Sequence, residues 1–191
     1  MKAIPTAYRG TNYRSRLEAR WAAFFDLCEW DAEYEPVDFQ GWIPDFALLG
    51  ERDVVYVEVK PIVYFCPNTR EKIDRSGCKD EVLLLGMTVA IKDSEAEGHP
   101  SCFGWLREMG EMHEGAGWWM PAAFGRWAGS DSQLKNPGGR YGFCSAWGSF
   151  GDRITGCYDG GCWGGGDMDP ELKLQEIWRE SGNLTQWKPR R

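Results

Sequence analysis

The chain has 191 residues, enough for one ordinary domain or for a core of about a hundred residues with an appendage. Its net charge of −7 excludes a chain coated in phosphate-binding cations, but not one with a local basic patch. No run of about 18 apolar residues is present, so we expect no membrane-spanning helix. The first residues lack the apolar run of a signal peptide, and we expect the protein in the cytoplasm of a cell or of a host.

The first predicted element is an amphipathic helix. Residues 1–12 show no regular pattern, and Thr11 or Asn12 fits a helix N-cap. The helix that follows carries apolar residues at spacings of i, i+4, i+7, i+8 and i+11, which is typical of a helix buried on one side. These residues are Leu17, Trp21, Phe24, Phe25 and Cys28.

Glu18 lies at the edge of this apolar stripe, and two interpretations are open. Its carboxylate can point along the neighbouring sheet as a functional group. Alternatively, Ser15 and Glu18 form a capping box, in which each residue satisfies a backbone N–H group of the other.

Three strands are predicted next. Residues 33–39 form the first, with Pro36 indicating an edge position or a bulge. Residues 47–49 and 54–57 flank a turn and are predicted to pair as a hairpin. This pairing brings Asp45 near Glu58.

The second hairpin strand alternates with a period of two. Its valines, at 55, 57 and 59, fall on one face, while Tyr56, Glu58 and Lys60 fall on the other. Two carboxylates and a lysine at one end of a hairpin can hold a hard divalent cation and polarise a phosphodiester. The simpler alternative is an ion pair between Glu58 and Lys60 on an ordinary sheet.

A short helix is predicted from residues 68–69 to Gly77, followed by a strand over residues 82–85 that is buried on both sides. The basic face of the helix is either solvated or in contact with DNA. It consists of Arg70, Lys72, Arg75 and Lys79. The order of helix, three strands, helix and strand predicts an α/β (α+β) fold with a mixed sheet.

The second half of the chain is less regular. Residues 93–168 are rich in Gly and Trp and are predicted to form an irregular appendage or insertion over the core. Four cysteines and two histidines lie there without the spacing of a zinc site, so buried thiols are favoured over structural zinc. They are Cys102, Cys144, Cys157, Cys162, His99 and His113.

The chain closes with a predicted helix and a basic tail. Asp169 and Pro170 begin the helix, and Ser181 and Gly182 are expected to end it. Trp187 in the tail either packs on the core or stacks on a base.

Three segments together resemble the PD-(D/E)XK nuclease superfamily. They are Pro44-Asp45, Glu58-Val59-Lys60, and residues 13–21, which are similar to the first helix of phage-type members and of transposon end-cleaving endonucleases. The resemblance covers roughly residues 8–91. It implies a restriction-endonuclease-like core of mixed β-sheet flanked by helices over residues 1–92, an appendage over 93–168, and a helix and tail over 169–191 packing back on the core.

The same resemblance implies a Mg²⁺- or Mn²⁺-dependent DNA endonuclease of a bacterial cell or a phage-infected host. Asp45, Glu58 and Glu18 would bind the metal with the backbone carbonyl of Val59, and Lys60 would act on the water or the phosphate. DNA would contact Arg14, Arg16, Arg70, Lys72 and Arg75. The alternative is a catalytically silent nuclease-fold accessory protein of phage type that binds DNA or protein, as a homodimer or with a phage or host partner.

Overall fold

The computed structural model describes residues 3–51, 53–93, 101–109, 117–127, 140–146, 151–156 and 170–186. The elements in these ranges are β1 (Thr6–Tyr8), β2 (Thr11–Tyr13), α1 (Arg16–Leu27), β3 (Ala32–Tyr34), β4 (Phe46–Leu49), β5 (Val54–Val59), α2 (Pro67–Arg75), β6 (Glu81–Leu85), β7 (Cys102–Glu108), β8 (Trp118–Trp127), β9 (Arg140–Ser145) and α3 (Pro170–Leu184).

Strands β3 to β9 form one seven-stranded sheet in which each strand pairs with its neighbours in sequence. The β5–β6 pair is parallel, and the other five pairs are antiparallel. Helix α2 lies between the parallel strands in sequence, as a parallel connection requires a long crossover. The fold is therefore mixed α/β, and the prediction of a mixed sheet with helices is confirmed at that level.

The predicted pairing of the hairpin strands is confirmed. Ala47 pairs with Tyr56, Leu48 with Val55 and Leu49 with Val54. The central strand β6 is also as predicted, since residues 82–85 are all completely buried.

The strand predicted over residues 33–39 is shorter in the structure. β3 ends at Tyr34, because Glu35 adopts a left-handed backbone conformation with φ of +47° that interrupts an extended strand. Beyond it, Phe39 and Trp42 form only an isolated bridge. β3 lies at an edge of the sheet, which is one of the positions that Pro36 indicated.

The first helix begins later than predicted. Residues expected to be irregular form the β1–β2 hairpin, whose two-residue turn has positive φ at both Arg9 and Gly10. Ser15 is the N-cap instead of Thr11 or Asn12, and its side chain accepts the Glu18 N–H at 3.1 Å.

The last helix runs longer than predicted, through Gly182 to Leu184. Gly182 lies inside the helix, and the Arg20 guanidinium packs against it, 3.1 Å from where a Cβ would be. The Thr185 hydroxyl also bonds the Ser181 carbonyl at 2.9 Å, which satisfies a terminal carbonyl of the helix.

The described parts of residues 93–168 supply β7, β8 and β9, so the sheet continues across the predicted boundary at residue 92. The division at residues 92 and 168 stays a prediction. Cys102 and Cys144 are buried thiols. Several predicted features lie outside the described residues: Cys157, Cys162, His99, His113, Asp169, and Trp187 with the basic tail.

Apolar clusters cover both faces of the sheet. Trp21 and Phe24 of α1 pack with Trp178 of α3 on one face, together with the valines of β5. Ile73 of α2 packs on the other. Tyr56 belongs to the α2 face, so the predicted division of β5 into two faces is confirmed. No described helix has the length and apolar character needed to cross a membrane.

Candidate functional site

A cleft of about 400 Å³ opens at one end of the β4–β5 hairpin. We call it the hairpin cleft. The Asp45 N–H donates to the Val57 carbonyl at 2.8 Å, which continues the hairpin pairing and keeps Asp45 beside Glu58. The residues that line the cleft are Arg14, Glu18, Asp38, Gly41, Trp42, Ile43, Asp45, Glu58, Val59, Lys60 and Lys72.

Asp45 is almost completely buried, with 3% of its surface exposed. Its Oδ2 accepts the Val59 backbone N–H at 2.7 Å, and its Oδ1 accepts Nη2 of Arg14 at 2.7 Å. Burial and then the charge of Glu58 raise the pKa of Asp45 to about 6, against the opposing effects of the Val59 N–H and of Lys60. The two carboxylates are therefore close enough to repel.

Glu58 is buried equally well and is held from two sides. The Trp42 indole N–H donates to its Oε2 at 2.8 Å, and Nζ of Lys60 forms an ion pair with its Oε1. Trp42 is in turn stacked on Phe39 and lies edge-on to Tyr56. These rings fix the indole and, through it, the orientation of the Glu58 carboxylate.

Lys60 stands just beyond β5. Its backbone N–H donates to the Leu85 carbonyl at 2.9 Å, and so extends the parallel pairing with β6. Its side chain is partly exposed, and Nζ lies 3.5 Å from the Val59 carbonyl oxygen. The structure thus brings Asp45, Glu58, Val59 and Lys60 together as predicted.

Glu18 combines features of both predicted roles. Its Oε1 accepts the Ser15 hydroxyl at 2.7 Å, while its Oε2 accepts the Tyr34 hydroxyl at 2.7 Å and the Arg14 backbone N–H at 3.1 Å. In a capping box the glutamate side chain would accept the backbone N–H of the N-cap residue, Ser15. Here Glu18 accepts the backbone N–H of Arg14 instead. Glu18 also lines the hairpin cleft, and its role as a metal ligand stays a prediction.

Arg14 was predicted only as a DNA contact, and the structure places it among carboxylates. Its guanidinium lies 2.7 Å from Asp45, 3.0 Å from Glu35 and 3.9 Å from Glu18. Arg16, its neighbour in the predicted DNA-binding set, is exposed at the start of α1.

The three predicted DNA contacts on α2 have different surroundings. Arg70 pairs with Asp74 at 3.3 Å and Arg75 pairs with Glu71, in both cases within α2. Lys72 lines the hairpin cleft. Of the three predicted DNA contacts on α2, Lys72 is thus the one placed at the candidate site.

Sequence reasoning missed the roles of Trp42 and Tyr34, which hold Glu58 and Glu18. Both bonds join residues 16 positions apart in the chain, a separation with no local periodicity. The only available signal was the position of Trp42 three residues before Asp45.

The oxygen atoms in the hairpin cleft are of the type that coordinates Mg²⁺. Among the described residues, no group of three or more His, Cys, Asp or Glu side chains is arranged to hold a metal. Mg²⁺, however, keeps several waters and commonly binds through only one or two carboxylates. Asp45 and Glu58, with the Val59 carbonyl, supply hard oxygen ligands of that number, and Oδ1 of Asp45 already accepts a cationic group.

Comparison with models of protein families, with curated proteins and with solved structures finds no match for this chain.

Proposed function

We propose that the protein is a divalent-metal-dependent DNA endonuclease with a restriction-endonuclease-like core. The observation that carries the proposal is the pair of buried carboxylates, Asp45 and Glu58, side by side in a cleft that also contains Lys60. The sequence motif and this geometry agree on the same three residues.

The simpler interpretation, an ordinary ion pair, accounts for only part of the arrangement. Glu58 and Lys60 do form an ion pair. That pair does not explain why a second carboxylate, Asp45, is buried next to Glu58, where burial and repulsion both disfavour its charge. Strained electrostatics of this kind in a cleft are typical of functional sites.

Each residue has a distinct role in the proposal. Asp45 and Glu58 hold the metal with the Val59 carbonyl, and Trp42 keeps the Glu58 carboxylate in one orientation. When bound, the metal lowers the pKa of a coordinated water and neutralises charge on the phosphate. Lys60 orients the attacking water or stabilises the charge that develops on the scissile phosphate.

The cations of the cleft can meet a polyanionic substrate. Lys60, Lys72 and Arg14 line it beside the carboxylates, so a phosphate backbone meets cations at the rim. The lining also contains four carboxylates, so these cations act as a local patch in a chain that is negative overall.

A silent nuclease-fold binding protein is the second candidate, and one observation favours it. Arg14, Lys60, Trp42 and the Val59 N–H already satisfy the oxygens of both buried carboxylates without a metal. A site that is neutralised in this way can persist in a protein that only binds DNA or another protein.

The two candidates differ in a cleavage assay. The protein is incubated with plasmid, single-stranded and branched DNA, with Mg²⁺ or Mn²⁺ and then with EDTA. Cleavage that EDTA stops, and that Asp45→Ala and Glu58→Gln abolish together with calorimetric metal binding, supports the endonuclease. Glu176→Gln, which removes an exposed carboxylate paired with Lys173 on α3, is the matched control.

An enzyme that cuts none of these substrates and binds no metal would contradict the endonuclease. DNA binding without cleavage under the same conditions would favour the silent binding protein.

A further inference from the structure

Arg14 connects a carboxylate inside the hairpin cleft with one outside its lining. Its Nη2 lies 2.7 Å from Oδ1 of Asp45, and its Nε lies 3.0 Å from Oε1 of Glu35. Asp45 lines the cleft, whereas Glu35 is not among the described residues that do so. The guanidinium therefore has a second anchor to which it can hold if it leaves Asp45.

The backbone of Arg14 is fixed while its side chain remains accessible. Its N–H donates to Oε2 of Glu18 and to the Tyr34 hydroxyl, both at 3.1 Å. Its side chain keeps 55% of its surface exposed, against 5% for the Asp45 side chain. A side chain that is fixed at its backbone and more than half exposed can exchange partners by rotation about its own bonds.

Glu35 is itself held in an uncommon conformation. Its φ is +47°, which side-chain-bearing residues rarely adopt, and its N–H donates to the Asp45 carbonyl at 3.0 Å. Such conformations persist where surrounding contacts enforce them and are frequent at functional sites. Here the conformation places the Glu35 carboxylate where it reaches Arg14 beside Asp45.

We propose that Arg14 is the resident counter-ion of Asp45, that a divalent cation displaces it, and that the displaced guanidinium stays on Glu35 and binds a DNA phosphate. This proposal rests on the proposed function. The metal and the guanidinium compete for the same oxygen, Oδ1 of Asp45, because both are cations. A phosphate in turn competes with Asp45 for the guanidinium.

Metal binding and DNA binding are therefore coupled through one side chain. A metal at Asp45 frees the Arg14 guanidinium to bind a DNA phosphate. Conversely, DNA that binds the guanidinium removes it from Asp45 and raises the affinity for the metal. The coupling must be reciprocal, since both ligands act on the same equilibrium. Arginine suits this exchange because its planar fork matches both carboxylate and phosphate.

The first test is metal affinity without DNA, measured by calorimetry with Mn²⁺. Arg14→Gln removes the competing cation and is expected to tighten Mn²⁺ binding by up to about fivefold, the scale of a partly exposed ion pair. Arg14→Lys keeps the charge and is expected to stay nearer the wild-type affinity. Arg9→Gln is the control, because Arg9 also pairs with a carboxylate, Asp26 at 3.2 Å, and does not line the cleft.

The second test is the coupling itself. Mn²⁺ affinity is measured with and without a short DNA duplex in a Lys60→Ala background, where we expect the duplex to stay intact. DNA is expected to tighten Mn²⁺ binding when Arg14 is present, and this effect is expected to disappear in Arg14→Gln. Melting temperatures confirm that each variant is folded, and Arg14→Met serves as a second uncharged replacement if Arg14→Gln is not.

The outcomes separate the two proposals. If the wild-type protein binds Mn²⁺ and cuts DNA, but Arg14→Gln changes neither the metal affinity nor the coupling, the counter-ion proposal is wrong and the endonuclease stands. If the wild-type protein binds no metal and cuts no DNA, the proposed function is wrong and the counter-ion proposal falls with it.

Discussion

Asp45 and Glu58 are buried carboxylates whose four oxygens meet donors from separate parts of the chain. The Val59 N–H comes from the adjacent strand, Arg14 from the residues before α1, and Trp42 from the loop before β4. Lys60 pairs with the remaining oxygen of Glu58. The carboxylates are thus held in position by the protein alone, which is the preorganisation that an electrostatic site requires.

Lys60→Ala is expected to separate metal binding from cleavage. It removes a cation beside Glu58, so metal affinity should be kept or tightened. Cleavage should fall on the order of a hundredfold or more, the scale of one positioned electrostatic group. Single-turnover cleavage rates and metal calorimetry on the same preparation measure the two effects.

Lys173→Ala on α3 is the control for that comparison, since it removes a partly exposed lysine from a surface ion pair with Glu176. Cleavage by Lys60→Ala at the wild-type rate would leave Glu58 and Lys60 as a structural ion pair.

At the scale of elements, the register of the β4–β5 hairpin determines which face of the sheet receives the residues of the hairpin cleft. Side chains alternate along a strand, so a slip of one residue would turn Glu58 and Tyr56 toward α1. The apolar face of β5 opposes that slip, because Val55 and Val57 are at most 1% exposed against the α1 side. The core therefore enforces the position of the cleft.

The loop after Lys60 is braced by Gly86 at the end of β6. A Cβ at Gly86 would lie 2.5 Å from the Ile62 carbonyl oxygen, and the same oxygen accepts the Met87 N–H at 2.9 Å. Gly86→Ala is expected to push residue 62 away and to displace Lys60 with it. We expect a loss of about 1–3 kcal/mol in the free energy of unfolding, with a fall in cleavage beyond what that loss explains.

Urea unfolding and cleavage rates below the unfolding transition test this expectation. Gly50→Ala is the matched control, since a Cβ there would lie 2.0 Å from the Arg153 carbonyl oxygen, at the other end of the hairpin. It should lower stability without a selective effect on cleavage. Equal cleavage losses per unit of stability in the two variants would contradict a role for Gly86 in positioning Lys60.

Across the whole molecule, buried carboxyl groups occur in the hairpin cleft and also in the 151–156 segment. Oδ1 of Asp152 accepts the Ile154 N–H at 3.0 Å, whereas its Oδ2 has no hydrogen-bond partner among the described residues. Burial raises the pKa of Asp152 to about 6, as it does for Asp45. Both groups make folding stability depend on pH.

The direction of that dependence follows from proton binding. An unfolded Asp has a pKa of about 3.9. The folded protein therefore binds more protons between about pH 4 and 6, and stability falls as pH rises through that interval. Asp152→Asn should flatten this fall and stabilise the protein at pH 7 by about 1–3 kcal/mol.

Urea unfolding in EDTA from pH 4.5 to 7.5 measures the effect. The exposed Asp31→Asn is the charge-matched control. An Asp152→Asn protein whose stability follows the wild-type pH profile would show that Asp152 titrates alike in the folded and unfolded chain.

The sequence by itself determined the elements whose pattern is local. The β4–β5 hairpin, the buried β6 and the apolar face of α1 follow from alternation or helical spacing over a few residues, because burial on one face imposes that period. The proximity of Asp45, Glu58 and Lys60 was predicted together with these elements, since it follows from the pairing of the hairpin. The metal and the nuclease activity stay predictions.

Only the tertiary structure decided what surrounds those residues. Arg14 meets Asp45 from 31 positions away and Trp42 meets Glu58 from 16, and such contacts leave no period in the sequence. β7, β8 and β9 were missed for another reason: they pair with their neighbours in sequence, but all seven residues of β7 are buried, so a strand of this kind shows no alternation. The contacts of the Arg14 guanidinium and of the Trp42 indole are long-range, so they depend on how the elements pack and not on a local sequence pattern.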